Sequence, residues 1–162
     1  MQRHGRWFAT ARWSGEEARH AYEASALAAE QRSPLIAERV SFSTETVFSH
    51  PSRLELMRTA CDAGYLVTLH VVAVPVELAV ARVVERVGHG EHAVPEVKVR
   101  DRFARLWGHV RQALDLADAA HIFDNSRAAT PYREVARYRD GVLVGTAGWP
   151  SWVPKVLRVL DD

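Results

Sequence analysis

The 162-residue sequence predicts an α/β domain, a sheet with parallel strands flanked by helices and followed by a C-terminal hairpin. Three observations predict it. The run YLVTLHVVAV (65–74) is almost continuous in apolar and β-branched residues, the pattern of a strand buried on both faces in a helix-covered parallel sheet. Apolar positions Val99, Phe103, Leu106, Val110, Leu114 and Ala117 step by three and four, the period of a long amphipathic helix. The segments then alternate as strand–helix–strand–helix–loop–helix–strand, which right-handed crossovers build into an α/β layer structure.

Residues 1–13 lack periodicity and caps and read as irregular. Ser14 with Glu17 makes a capping box ahead of Ala18, Ala21, Tyr22, Ala28 and Ala29, a helix that Ser33-Pro34 should stop. RVSFSTETVF (39–48) is β-branched, aromatic and alternating, which predicts a strand. Ser52 with Glu55 repeats the capping box. Leu54, Met57, Arg58 and Cys61 follow on that helix, and Gly64 sits where a left-handed C-cap is wanted. Pro75 ends the aliphatic strand. Val76, Val80, Val83, Val84 and Val87 then form the stripe of a third helix over 76–87. GHGEHAVP (88–95) reads as a mobile glycine-rich loop, and the long helix runs from Glu96 to about Ala119. HIF (121–123) is a short strand running into Asp124-Asn125-Ser126. Two alternating runs around Asp140-Gly141 signal a hairpin, and Trp149 to Leu160, with Pro150 and Pro154 bracketing a Trp, closes the chain as a short helix.

Composition narrows the function. This length suits a single domain, and 48% hydrophobic with 25% charged residues excludes a disordered chain. A net charge of +1 argues against a dedicated nucleic-acid binder. The longest apolar run, Leu66 to Leu78, is broken by Thr68, His70, Pro75 and Glu77 and is too short to span a bilayer, and the N-terminus has no signal-peptide stretch. Cys61 is alone, so no disulfide frame forms and a reducing compartment is expected. These features predict a cytoplasmic domain without membrane or nucleic-acid partners. Of the 21 Lys+Arg residues only Lys98 and Lys155 are lysine, leaving 19 arginines, so a mechanism needing lysine has two candidates.

In α/β sheets ligands bind beyond the carboxyl ends of the strands, so the post-strand loops are where chemistry is sought. Glu45, between Thr44 and Thr46, ends the first strand. A carboxylate there can accept a hydroxyl proton, or be a solvated strand-end charge. The glycine-rich loop is flanked by Arg82, Arg86, His89, His92, Lys98, Arg100, Arg102 and Arg105, and Lys98, Arg102, Arg105 and His109 form one basic stripe of the long helix. Such a loop can close guanidinium groups over phosphates. The competing reading is a solvated helix face balanced by Glu85, Glu91, Glu96 and Asp101. His89 and His92 have no third ligand in evidence, so no metal site is assigned. Cys61 reads as packing, and Asp124-Asn125-Ser126 as either a contact to a nucleotide base or an Asx-turn.

The string SFSTETVFSHPSRLELMRTACDAGYLVTLHVVAVPVELAVARVVERV, then GHGEHAVPEVKVRDRFARLW, then IFDNS, resembles the zeta-toxin family of P-loop kinases over roughly residues 14–127, leaving 128–162 as a C-terminal hairpin and helix. The order of the E-T strand end, aliphatic strand, lid and D-N-S end carries the resemblance. It implies a three-layer P-loop-kinase-like parallel sheet and a small-molecule kinase using ATP or GTP with magnesium. Founding members phosphorylate the 3′-hydroxyl of UDP-N-acetylglucosamine and are restrained by an antitoxin. Carried over, Glu45 sits in the sugar pocket with Thr44 and Thr46 beside it. Arg86, His92 and Arg102 belong to the phosphate-facing lid, with Arg82 and Arg100 as rivals, and Glu45, Arg86 and Arg102 are the catalytic candidates. Asp124, Asn125 and Ser126 border the nucleotide base. The lid glycines, Gly88 and Gly90, are not adjacent as they are in the family.

The front of the family pattern is missing. A phosphate loop needs G-x-x-x-x-G-K-[ST], and no Gly-Lys dipeptide occurs in these 162 residues. The family's hydroxyl-activating Asp would fall in residues 1–12, which hold no carboxylate. Without these groups several kcal/mol of transition-state stabilisation is absent. The neighbours of the absent central strand should then meet each other or leave an open edge, one that an antitoxin or self-association could cover. Three explanations fit: a truncated kinase, a degenerate relative that binds nucleotide, ligand or antitoxin without catalysis, or a strand supplied by another polypeptide. Truncation is favoured, because the lid and strand ends stand intact beside a front that stops abruptly.

Overall fold

A computed structural model describes residues 32–88 and 94–158. Its elements are α1 (Ser52–Asp62), β1 (Thr68–Ala73), α2 (Val76–Gly88), α3 (Glu96–Leu114), β2 (Ala119–Asp124), β3 (Arg133–Arg139), β4 (Val142–Leu143) and α4 (Lys155–Arg158). The strands form one sheet in the order β1-β2-β3-β4. The pair β1/β2 is parallel, with Thr68 opposite Ala119 and Ala73 opposite Asp124, whereas β3 and β4 add antiparallel. The α/β class, the flanking helices and the C-terminal hairpin are as predicted, in a mixed sheet. Among the described residues no helix is long and apolar enough to cross a membrane.

Local chemistry explains the helix ends. Gly64 adopts φ 81°, its N–H donates to the Cys61 carbonyl, and the Tyr65 N–H donates to the Ala60 carbonyl. That pair of bonds is a Schellman closure of α1. A second one ends the helical stretch 32–37, with Arg39 at φ 56° and bonds from Arg39 to Ile36 and from Val40 to Leu35. Pro34 lies inside that stretch and does not terminate it. The rest of the expected helix over 14–33 lies outside the described residues, as does the irregular segment 1–13. The capping box at Ser52 does not form. Pro51 occupies the N-cap without a side-chain cap, and the Ser52 hydroxyl pairs instead with His50 Nδ1 at 2.9 Å.

The predicted strand over 39–48 is absent, and residues 40–49 have no regular secondary structure. Alternation chooses which face each side chain takes, but a strand exists only when its main chain finds a ladder, and among the described residues this segment has none. It turns at Phe48 (φ 59°), whose N–H donates to Thr46 Oγ1 at 3.1 Å. The expectation that β1 is buried on both faces also changes. Val71 and Ala73 are buried, whereas Thr68, His70 and Val72 are exposed.

The covered sheet face carries Val71, Ala73, Ala120, Ile122, Ala136 and Tyr138. It shares one core with Leu54 and Met57 of α1, Trp107, Val110 and Leu114 of α3, and Val153 and Leu157 at the C-terminal end. Each large aliphatic side chain buried there contributes about 1.5–3 kcal/mol. Trp149 and Trp152 pack against this core. The hairpin turn has Asp140 at φ 49° and Gly141 at φ 75°, the two positive values of a type I′ turn. A Cβ on Gly141 would meet Asp115 only at ordinary contact distance, 3.5 Å. The penalty of Gly141→Ala therefore lies in the backbone. It should lower the unfolding free energy by about 1 kcal/mol, read as a lower denaturant midpoint at unchanged slope.

Candidate functional site

The parallel strands β1 and β2 end side by side at Ala73 and Asp124. The Asn125 N–H donates to the Ala73 carbonyl at 2.9 Å, carrying the pairing one residue further. Asp124 is only 4% exposed, so its charge needs partners. Its Oδ1 accepts the Ser126 N–H at 2.9 Å, an Asx-turn, and its Oδ2 accepts Arg133 Nη2 at 3.2 Å. Burial alone would raise the Asp124 pKa, but the hydrogen bonds from Ser126 and the hydrogen bond and charge of Arg133 outweigh it and hold the carboxyl below its ordinary value. Arg82, one and a half turns into α2, donates from Nη2 to the Asn125 carbonyl at 3.0 Å. An exposed guanidinium thus stands at the carboxyl end of the parallel pair.

The Glu45 segment is held from both sides. Thr44 Oγ1 accepts Arg32 Nη1 at 3.5 Å, and the Phe48 carbonyl accepts His109 Nδ1–H at 3.2 Å. Phe48 is buried in the core cluster. Glu45, Thr46 and Val47 line an open recess of about 390 Å³, with the Glu45 side chain exposed. His109 ends the basic stripe of Lys98, Arg102 and Arg105, so the segment bearing Glu45 rests on the helix that carries that stripe.

Arg100, a rival candidate for the phosphates, is held by two carboxylates. Its two Nη atoms bind both oxygens of Glu77 at 2.7 Å, and its Nε binds Glu96 Oε1 at 2.7 Å. The guanidinium joins the start of α2 to the first turn of α3. Hydrogen bonding to Glu77 and Glu96 raises its pKa, and Glu77 is correspondingly lowered. All three groups are solvent-accessible, so the cluster adds little stability.

The structure therefore gathers Arg82, Asp124, Asn125 and Ser126 at one strand end, and pairs Arg100 with two carboxylates. Arg86 lies one turn beyond Arg82 on α2, exposed, and Arg102 is half-buried on α3. His92 and His89 lie outside the described residues. Arg133 was missed by sequence reading. It faces Asp124 in the β2/β3 register, and the only signal that could have found it is the register of the hairpin counted back to Asp124. Among the described residues no group of three or more His, Cys, Asp or Glu could hold a metal ion. Cys61 donates its Sγ–H to the Leu116 carbonyl at 3.3 Å, and burial, with Asp118 and Asp62 nearby, pushes the thiol up. That is the packing role expected of it.

A family model described as Zeta toxin matches residues 15–141, most of the sequence. The chain belongs to the zeta-toxin family. The zeta-toxin match takes in the Glu45 segment and the Asp124–Ser126 turn, together with Arg82 and Arg133. It assigns the chain to a family of P-loop-kinase type. No curated protein and no solved structure matches the chain.

Proposed function

We propose that this chain carries the acceptor-side and lid residues of a zeta-toxin-type kinase, one that moves a phosphoryl group from ATP or GTP to a hydroxyl of a small molecule such as a UDP-sugar. The observation that carries the reading is Arg82 at the Asn125 carbonyl, beside the buried Asp124 and its half-exposed partner Arg133, where the parallel strands of a zeta-toxin family member end. Asp124, Asn125 and Ser126 border the nucleotide base. Arg82, Arg86 and Arg102 serve the phosphates, where fixed guanidinium donors stabilise charge developing on the transferring group, and His92, outside the described residues, is a further lid candidate. Arg82 is preferred to its rival Arg100, whose donors are engaged by Glu77 and Glu96. Glu45 accepts the hydrogen bond of the acceptor hydroxyl, with Thr44 and Thr46 orienting it. The residues present do not fit a magnesium site, since the Ser or Thr of a phosphate loop has no counterpart and no donor cluster replaces it among the described residues.

The absence of a Gly-Lys dipeptide favours a second reading, binding without turnover, with nucleotide, ligand or an antitoxin as partner. Titration calorimetry with ATP and GTP at millimolar concentration separates the cases. Binding that Arg82→Ala weakens about tenfold supports the site, since a charge-assisted contact contributes about 1.5–3 kcal/mol. No binding at all overturns it for this chain. Phosphoryl transfer to a UDP-sugar above a Glu45→Ala blank would reject the non-catalytic reading.

A further inference from the structure

Phe48 holds a backbone conformation that a phenylalanine seldom takes. Its φ is 59°, in the left-handed region where a bulky side chain crowds its own main chain. Arg39 and Asp140 also have positive φ, but one closes a helical stretch and the other turns a hairpin. Phe48 lies instead in a segment without regular secondary structure, three residues after Glu45. Such a conformation persists only where the surroundings over-determine it, and it gathers at sites that hold a ligand.

Three contacts hold it here. The Phe48 ring is buried in the core cluster. Its N–H donates to Thr46 Oγ1 at 3.1 Å, which folds the chain back on the residue beside Glu45. Its carbonyl accepts from His109 Nδ1 at 3.2 Å, across 61 residues of sequence. A carbonyl can only accept, so this bond assigns the proton to Nδ1. The bond fixes the direction of the Phe48 carbonyl and so the second backbone dihedral of that residue. His109 is half-buried on α3, about two turns beyond Arg102.

We infer that His109 is a positioning residue. From α3 it locks the Thr46–Phe48 turn and keeps Glu45 at the recess it lines with Thr46 and Val47. The role rests on the reading of Glu45 as the group that receives the acceptor hydroxyl, and His109 acts through Glu45 without a chemical step of its own. A carboxylate on an irregular segment has no ladder to fix it, so contacts from a rigid element must supply the order that binding would otherwise have to impose.

The lock is tested on the full 162-residue chain without any ligand. Ring-nitrogen NMR at alkaline pH, where imidazoles are neutral, should find the His109 proton on Nδ1. His109→Leu keeps a side chain of similar size but has no donor, and should speed exchange of the Phe48 N–H about tenfold while leaving the amides of Ile122 and Tyr138 unchanged. His109→Asn puts an amide N–H the same number of bonds from Cα as Nδ1 and should restore the slow exchange. A proton on Nε2 alone, a Phe48 amide indifferent to His109→Leu, or no rescue by His109→Asn would overturn the lock. Calorimetry with UDP-N-acetylglucosamine tests what the lock is for. His109→Leu should weaken binding about tenfold and His109→Asn should recover it, and in a Glu45→Ala background the loss should vanish. A loss that stays undiminished in that background overturns the positioning role. Failure of the unaltered chain to bind the UDP-sugar overturns the Glu45 reading instead, and the exchange result still decides the lock.

Discussion

Ile122→Ala should lower the unfolding free energy by about 3–4 kcal/mol, the largest effect expected of any single substitution described for this protein. Ile122 is fully buried in the central strand β2, with Val71 opposite it on one side and Ala136 on the other. Its side chain sits where the sheet meets Trp107, Val110 and Leu114 of α3. Removing three carbons there forfeits their transfer free energy and leaves a cavity, which strands hydrogen-bonded on both edges cannot close. Against the 5–15 kcal/mol typical of a domain, this loss is a large fraction. Thermal unfolding should move down by about 10 °C, and Ile122→Val by much less.

Asp124→Ala should cost about 2–3 kcal/mol at neutral pH. The carboxylate is buried and accepts from both the Ser126 N–H and Arg133, so truncation breaks the turn and strips Arg133 of its counter-charge. Arg133 is half exposed and can reach water, which keeps the cost below that of breaking a fully buried pair. Asp124→Asn keeps an acceptor for Ser126 and should cost less. The pH dependence is signed by the depressed pKa. Because Asp124 is more acidic folded than unfolded, its contribution is fully present above the unfolded value, about 3.9, and is lost as pH falls through the folded one. Denaturation curves of wild type and Asp124→Ala should therefore converge below about pH 4. A gap that stayed constant from pH 7 to pH 3 would reject the ionised pair.

Local signals were legible where the cause is local. The three-and-four spacing of α3, the left-handed Gly64 and the Asp140-Gly141 turn each need only neighbouring residues, and each appears where expected. The Asx-turn of Asp124 and Ser126, which needs only residues two apart, forms as well. What failed was whatever depends on a remote partner. The alternation of 39–48 specifies faces but cannot supply a ladder, and the aliphatic run of β1 cannot say which of its faces a helix will cover. Arg100 shows the same division. Its bond to Glu96 is four residues away and readable, but its bidentate grip on Glu77, 23 residues back, is not. Arg133 escaped notice because antiparallel register, and not sequence proximity, brings it to Asp124.

The mixed sheet also sets an order of assembly. β3 and β4 are joined by a tight turn, and β2 meets β3 after a short connection, so these contacts close small loops within microseconds. The β1/β2 ladder is different. Val67 donates to the Asp118 carboxylate at 2.6 Å across 51 residues of sequence, and the whole α2–α3 excursion must be confined before that contact can form. The hairpin half should therefore gain its structure early and β1 should dock last, leaving this aliphatic strand the longest-lived sticky segment of the nascent chain.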